Sequence, residues 1–100
     1  MKAFLINPEE QSIEAVEIKG HDEIKKLIGF DTVIADEIGE DDYLYFDEEC
    51  FLRGTSGRFQ IDNLIPVSGN GVIIGADNEG EELKDVLSSI DNLKSRIKYL

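Results

Sequence analysis

Thr32-Val33-Ile34-Ala35-Asp36-Glu37-Ile38, Gly39-Glu40-Asp41 and Asp42-Tyr43-Leu44-Tyr45-Phe46-Asp47 follow one another without interruption. The two outer segments are rich in β-branched and aromatic residues, which suit a pleated, half-buried surface. The glycine and two acids between them suit a tight turn. Two strands joined by a tight turn decide the fold class, because the flanking segments fall into place around them.

On the N-terminal side, Lys2 to Ile6 reads as a strand stopped by Asn7-Pro8. Ser12 to Ile18 alternates as a second strand, with Val16 and Ile18 as its better apolar set, so residues 2–18 form a hairpin with a loop of about five residues. Gly20 breaks the strand. His21 to Ile28 fits a short helix, with Ile24, Leu27 and Ile28 on one stripe. Asp22 and Glu23 open it, Lys25 and Lys26 close it, and Gly29 stops it, as the helix dipole and C-cap preferences require.

On the C-terminal side, Glu48-Glu49-Cys50 is a turn. Phe51-Leu52-Arg53 and Arg58-Phe59-Gln60-Ile61 flank Gly54-Thr55-Ser56-Gly57, which reads as a hairpin tip. Leu64 to Val67 is an extended piece that Pro66 confines to an edge or bend. Ser68-Gly69-Asn70-Gly71 is a turn, and Val72-Ile73-Ile74-Gly75 is a buried strand. Leu83, Val86, Leu87, Ile90, Leu93 and Ile97 keep helical spacing. Ser88 with Asp91 resembles a capping box. Residues 81–88 are therefore expected to be helical or irregular, followed by a helix over 89–97. The sum is one α+β domain over residues 1–100: a mostly antiparallel sheet of five to six short strands with two helices packed on it.

Composition narrows the chemistry. Twenty-two acids against ten bases leave a net charge of -12. Direct nucleic-acid binding needs clustered Lys and Arg, and an anionic membrane repels such a chain. Cys50 is the only cysteine and His21 the only histidine, so neither an internal disulfide nor a Cys/His zinc site can form. Ala3-Phe4-Leu5-Ile6 is too short for a signal-peptide core, and no apolar run approaches the roughly 18 residues of a membrane span. A soluble cytoplasmic protein with reduced Cys50, no cofactor and no metal is expected.

Several motifs fall away on inspection. Gly69-x-Gly71-x-x-x-Gly75 leads into a strand rather than a helix, unlike a dinucleotide loop. Asp77-x-Glu79-x-Glu81 starts like a calcium loop, but Glu82 stands where Gly is required and Ser88 where Glu is required. Cys50 beside Glu48 and Glu49 is disfavoured as a thiolate nucleophile paired with His21.

Two candidate sites remain. Asp36, Glu37, Glu40, Asp41, Asp42, Asp47, Glu48 and Glu49 are eight acids without an intervening base, surrounding Tyr43 to Phe46. Residues 1–50 carry fifteen acids and four bases, while residues 51–100 carry seven and six. Such a run is either a solvated face or a surface imitating the phosphate array of a nucleic acid, fitted to a basic host protein such as one that binds nucleic acid. The alternative is an anion site at Arg53, Gly54, Thr55, Ser56, Gly57 and Arg58, where backbone N–H groups, hydroxyls and two guanidiniums would hold a phosphorylated ligand or nucleotide.

Met1 to Pro8, Leu27-Ile28-Gly29, Leu44 to Glu48, Asn70 to Gly75 and the closing Leu93 to Leu100 carry a wider likeness. Through them nearly the whole chain resembles a family of short, acidic proteins from bacteriophages, plasmids and bacterial genomes, known as a domain of unknown function. The resemblance implies no activity, cofactor or catalytic residue. It implies a setting of mobile elements, in which small acidic proteins interfere with host machinery.

Overall fold

The structure is a computed structural model that describes residues 1–39, 41–77 and 81–100. Its central element is β7 (Gly71–Asp77), in which the six residues from Gly71 to Ala76 are all buried. An unbroken apolar run of this kind belongs to a strand covered on both faces. β1 (Lys2–Asn7) pairs antiparallel with one side of β7, placing Ala3 opposite Ile74 and Ile6 opposite Gly71. β4 (Asp42–Asp47) pairs antiparallel with the other, placing Tyr43 opposite Ile74 and Tyr45 opposite Val72. β2 (Ser12–Glu17) and β3 (Val33–Glu37) are the outer partners of β1 and β4, so the strand order is β2-β1-β7-β4-β3. β8 (Glu82–Lys84) adds a sixth strand by pairing with the end of β7.

The period of two along these strands sorts their side chains into two cores. Ala3, Tyr45, Val72 and Ile74 point to one face, where Ile24 and Ile28 of α1 (His21–Ile28) cover them. Phe4, Ile6, Leu44, Phe46 and Ile73 point to the other. There they meet a second, three-stranded antiparallel sheet of β5 (Arg58–Ile61), β6 (Val67–Ser68) and β9 (Ile97–Tyr99), in the order β6-β5-β9. Phe59, Ile61 and Val67 come from that sheet, and Leu93 from α2 (Ile90–Arg96), which packs beside it. The fold is α+β, with the main sheet sandwiched between one helix and a small sheet-and-helix layer.

The segments on the Ile73 face approach closely because β7 carries glycine where they press on it. A Cβ on Gly71 would lie 2.6 Å from the Phe59 ring and 3.0 Å from Leu44 Cδ1. One on Gly75 would lie 2.4 Å from the Asp85 carbonyl oxygen. Only a residue without a side chain fits either position.

The β1–β2 and β3–β4 pairings and α1 follow the sequence reading, and Gly29 stops α1 with φ 93°. Three segments differ. Phe51-Leu52-Arg53 is not a strand: Cys50–Leu52 forms a 3₁₀ turn, because Arg53 folds back onto Asp47. The segment over 81–88 contains β8 rather than helix, since Gly75 and Ala76 offer it open ladder positions opposite Lys84 and Leu83. The last helix starts one residue later than the expected 89 and ends at Arg96. Its cap is Ser89, whose hydroxyl accepts from the Asn92 N–H, while Ser88 is engaged elsewhere. Ile97 leaves the helix to pair with Ile61 in β9, so its helical spacing is overridden by a strand partner far away in sequence.

Gly71→Ala is expected to lower stability by about 2 kcal/mol through overpacking against Phe59. Gly39→Ala, where a Cβ meets nothing within 4 Å, serves as the control. Urea denaturation of both variants beside the parent checks this.

Candidate functional site: the acidic hairpin and the arginine turn

The eight acids of the 36–49 run meet different fates. Asp42 opens β4 and is buried, with 1% of its surface exposed. Its carboxylate accepts hydrogen bonds from the Leu87 N–H (2.9 Å), the Ser88 N–H (2.8 Å) and the Ser88 hydroxyl (2.6 Å). It ties the approach to α2 onto the main sheet. Asp47 closes β4 and is also buried. It accepts from the Thr32 hydroxyl, from the Glu49 N–H (3.1 Å) and from Arg53 Nε (2.9 Å). The expectation that Asp42 and Asp47 contact a partner is therefore corrected: both carboxylates are enclosed, and their acceptor capacity is taken by the chain itself. Burial alone would raise the Asp47 pKa. The hydrogen bonds from Arg53, Thr32 and Glu49 outweigh it and hold the carboxyl below the ordinary carboxylate range.

The other acids stay at the surface. Asp41 is exposed and pairs with Lys84 Nζ at 3.2 Å, which also reaches Asp77 at 2.9 Å. Glu49 lies 3.5 Å from Arg53 Nη2. Glu37 and Glu48 are exposed and Asp36 is half-buried. Among the described residues no basic side chain pairs with Asp36, Glu37 or Glu48. Glu40, and Glu79 of the rejected calcium loop, lie outside the described residues. Asp36 and Glu37 sit on β3, the outermost strand on that side, beside Ile34, which is 37% exposed.

The arginine turn does not gather its donors around an empty site. Arg53 donates through Nη2 to Thr32 Oγ1 at 2.9 Å as well as through Nε to Asp47, and its guanidinium lies 4.5 Å above the Phe30 ring. Arg58 stacks instead on Phe51, at 5.2 Å. Thr55 Oγ1 and Ser68 Oγ share a hydrogen bond of 2.9 Å, and the Ser68 hydroxyl also reaches the Thr55 carbonyl at 3.3 Å. Gly57 is locked as well, because a Cβ there would lie 2.6 Å from the Glu9 nitrogen. The cavity of about 250 Å³ beside Thr55, Ser56 and Ser68 has the acidic residues Glu9 and Asp47 in its lining and no basic side chain. A phosphate there would face two negative groups. Gly54, Thr55, Ser56 and Gly57 thus form a pinned loop between the 3₁₀ turn and β5, rather than a hairpin tip.

Neither a family model, nor a curated protein, nor a solved structure matches the chain.

Cys50 and His21 lie on opposite sides of the main sheet. Cys50 is buried in the core shared with Phe59, and its sulfur accepts from the Ser68 N–H at 3.4 Å. His21 meets the edge of Tyr45, whose ring faces the α1 side. Among the described residues no group of three metal-ligating side chains comes together, and no helix is long and apolar enough to cross a membrane.

The sequence does not single out Thr32 or Phe30, and it marks Ser88 only as a helix cap, although the three decide what Arg53, Asp47 and Asp42 do. The one available signal was the spacing of Asp47 and Arg53, opposite charges six residues apart across a turn.

Asp42→Ala strands the Leu87 and Ser88 donors and is expected to cost about 3 kcal/mol, whereas Asp41→Ala should cost less than about 1 kcal/mol. Chemical denaturation of the two variants separates them. Asp47 also makes stability depend on pH. Because its folded pKa lies below the unfolded value, its contribution is complete above about pH 4 and is lost as pH falls through the lower folded value. Thermal melts from pH 6 downward should fall more steeply for the parent than for Asp47→Asn, with the difference opening below about pH 4.

Proposed function

We propose that the chain is a non-catalytic binding protein whose acidic surface engages a basic partner. The observation that carries this reading is the acidic β3–β4 hairpin and the turn after it, where no base stands between residues 36 and 49. Arg53, Lys84 and Arg96 are each tied to carboxylates of the chain itself. Asp36, Glu37 and Glu48 have no basic partner among the described residues, Glu37 accepting only from the Tyr43 hydroxyl at 3.5 Å, and exposed Ile34 lies beside them on the β3–β4 hairpin. Unpaired charge beside an apolar spot is what a complementary protein surface recognises, and it steers encounter as well as selecting the partner.

The partner in this reading is a basic cytoplasmic host protein, such as one that binds nucleic acid, and the outcome is that its basic surface is blocked. The likeness to phage and plasmid accessory proteins supports that setting. The anion-binding alternative is weaker at the turn itself, where Arg53 already donates to Asp47 and Thr32; Arg53 also lines an open cavity with Lys25 and Lys26, which Asp22 and Asp31 share.

Immobilised protein exposed to bacterial lysate tests the proposal. A basic protein should be retained by the parent, released by moderate salt and competed by duplex DNA. Asp36→Lys with Glu37→Lys should lose it, and the charge-matched Glu10→Lys with Glu14→Lys on the far edge of the sheet should keep it. Equal retention by the two double variants would overturn the assignment of the surface.

A further inference from the structure

The β3 edge has a directionality that side-chain charge alone does not reveal. The Ile38 N–H bonds the Asp42 carbonyl at 3.0 Å, and the Glu48 N–H bonds the Thr32 carbonyl at 2.7 Å. In an antiparallel ladder, hydrogen-bonded pairs alternate with non-hydrogen-bonded ones. With Ile34 opposite Phe46 and Asp36 opposite Leu44, residues 32, 34, 36 and 38 therefore turn their backbone groups toward β4. Val33, Ala35 and Glu37 turn theirs outward. β3 ends the strand order, and among the described residues no other backbone or side chain bonds these outward groups. Three N–H and three C=O groups, about 6.8 Å apart along the strand, form an open template.

Natural sheet edges of this kind are closed off by lysine, proline, a bulge or a covering element. β3 carries no lysine or proline; its edge charges are Asp36 and Glu37, which guard it against a like-charged strand and leave it open to a basic one. Adjacent residues project to opposite faces of a strand, so the template has one carboxylate on each face, with Ile34 beside Asp36. A second copy of this chain brings another -12 to the contact and is repelled. A strand with basic residues on both faces is attracted.

We propose that β3 accepts an extended basic segment of the partner as an added strand, hydrogen-bonded to Val33, Ala35 and Glu37 and held by Asp36 and Glu37. This rests on the acidic-surface reading above and adds the mode of contact. Backbone pairing would supply affinity, and the two carboxylates the choice of segment.

The probe is a short valine- and threonine-rich peptide with two adjacent lysines at its centre, compared with its glutamate counterpart. Amide exchange is followed by NMR. With the lysine peptide, exchange at Val33, Ala35 and Glu37 should slow at least about tenfold, equivalent to about 1.4 kcal/mol. Ile34 and Asp36, already in the ladder, should change little. The glutamate peptide should have no effect. Ala35→Pro removes only an outward donor, which an edge strand tolerates, so it should keep the far-UV circular dichroism of the parent and lose the protection. No lysine-peptide binding, or binding without the alternating pattern, would overturn the inference. Protection that grows with protein concentration alone would also overturn it, by giving the edge to a second copy. Lysate retention that is lost on charge reversal but unchanged in Ala35→Pro would leave the acidic surface standing and remove strand addition.

Discussion

The architecture depends on a strand that must be covered twice. From Gly71 to Ala76, β7 offers no polar side chain to either face, so a single layer over it would leave half of its apolar surface in water. Everything else follows from satisfying that strand. β1 and β4 saturate its backbone, α1 closes one face, and the small sheet with α2 closes the other. Gly71 and Gly75 bring the second layer within contact distance. Asp42 and Arg96 then fasten that layer. The first holds the 87–88 segment, and the second bonds both Asp62 and the Ile38 carbonyl, at the turn end of the β3–β4 hairpin.

What could be read from sequence was whatever a local period expresses. α1 has its stripe, its charge gradient and its terminal glycine within nine residues, and the two N-terminal pairings rest on alternation and short turns. What could not be read depends on partners distant in the chain. Glu82–Lys84 becomes a strand only because β7 runs past the end of β1, and Ile97 leaves helical register only because Ile61 is waiting. The acidic run shows the same limit at the level of a site. Asp42 and Asp47 are chemically indistinguishable from Asp36 in a list of residues. The fold separates them by whether β4, enclosed by neighbours, or β3, at the margin, carries the side chain.

That separation gives carboxylates two occupations in one molecule. Enclosed ones replace secondary structure as hydrogen-bond acceptors for loops that have no ladder of their own, at Leu87, Ser88 and Glu49. Of the peripheral ones, Asp41, Glu49, Asp62 and Asp77 pair with bases, while Asp36, Glu37 and Glu48 meet none among the described residues and keep their field for the surroundings. Asp47 secures Arg53 over Phe30 and balances its charge, although Arg53 itself stays at the surface.

The position of β7 also governs how the chain reaches this state. The β1–β2 and β3–β4 hairpins close over short loops and form quickly, yet neither touches the other in the ladder. The strand that joins them, β7, lies beyond residue 70, so the two hairpins cannot enter one sheet until the last third of the polypeptide supplies it. Slow folding for a chain of this length is the expectation, since the contacts that close the sheet span large sequence separations. During synthesis on the ribosome, the interval between the emergence of β4 and of β7 is the period in which the chain is most exposed to mispairing.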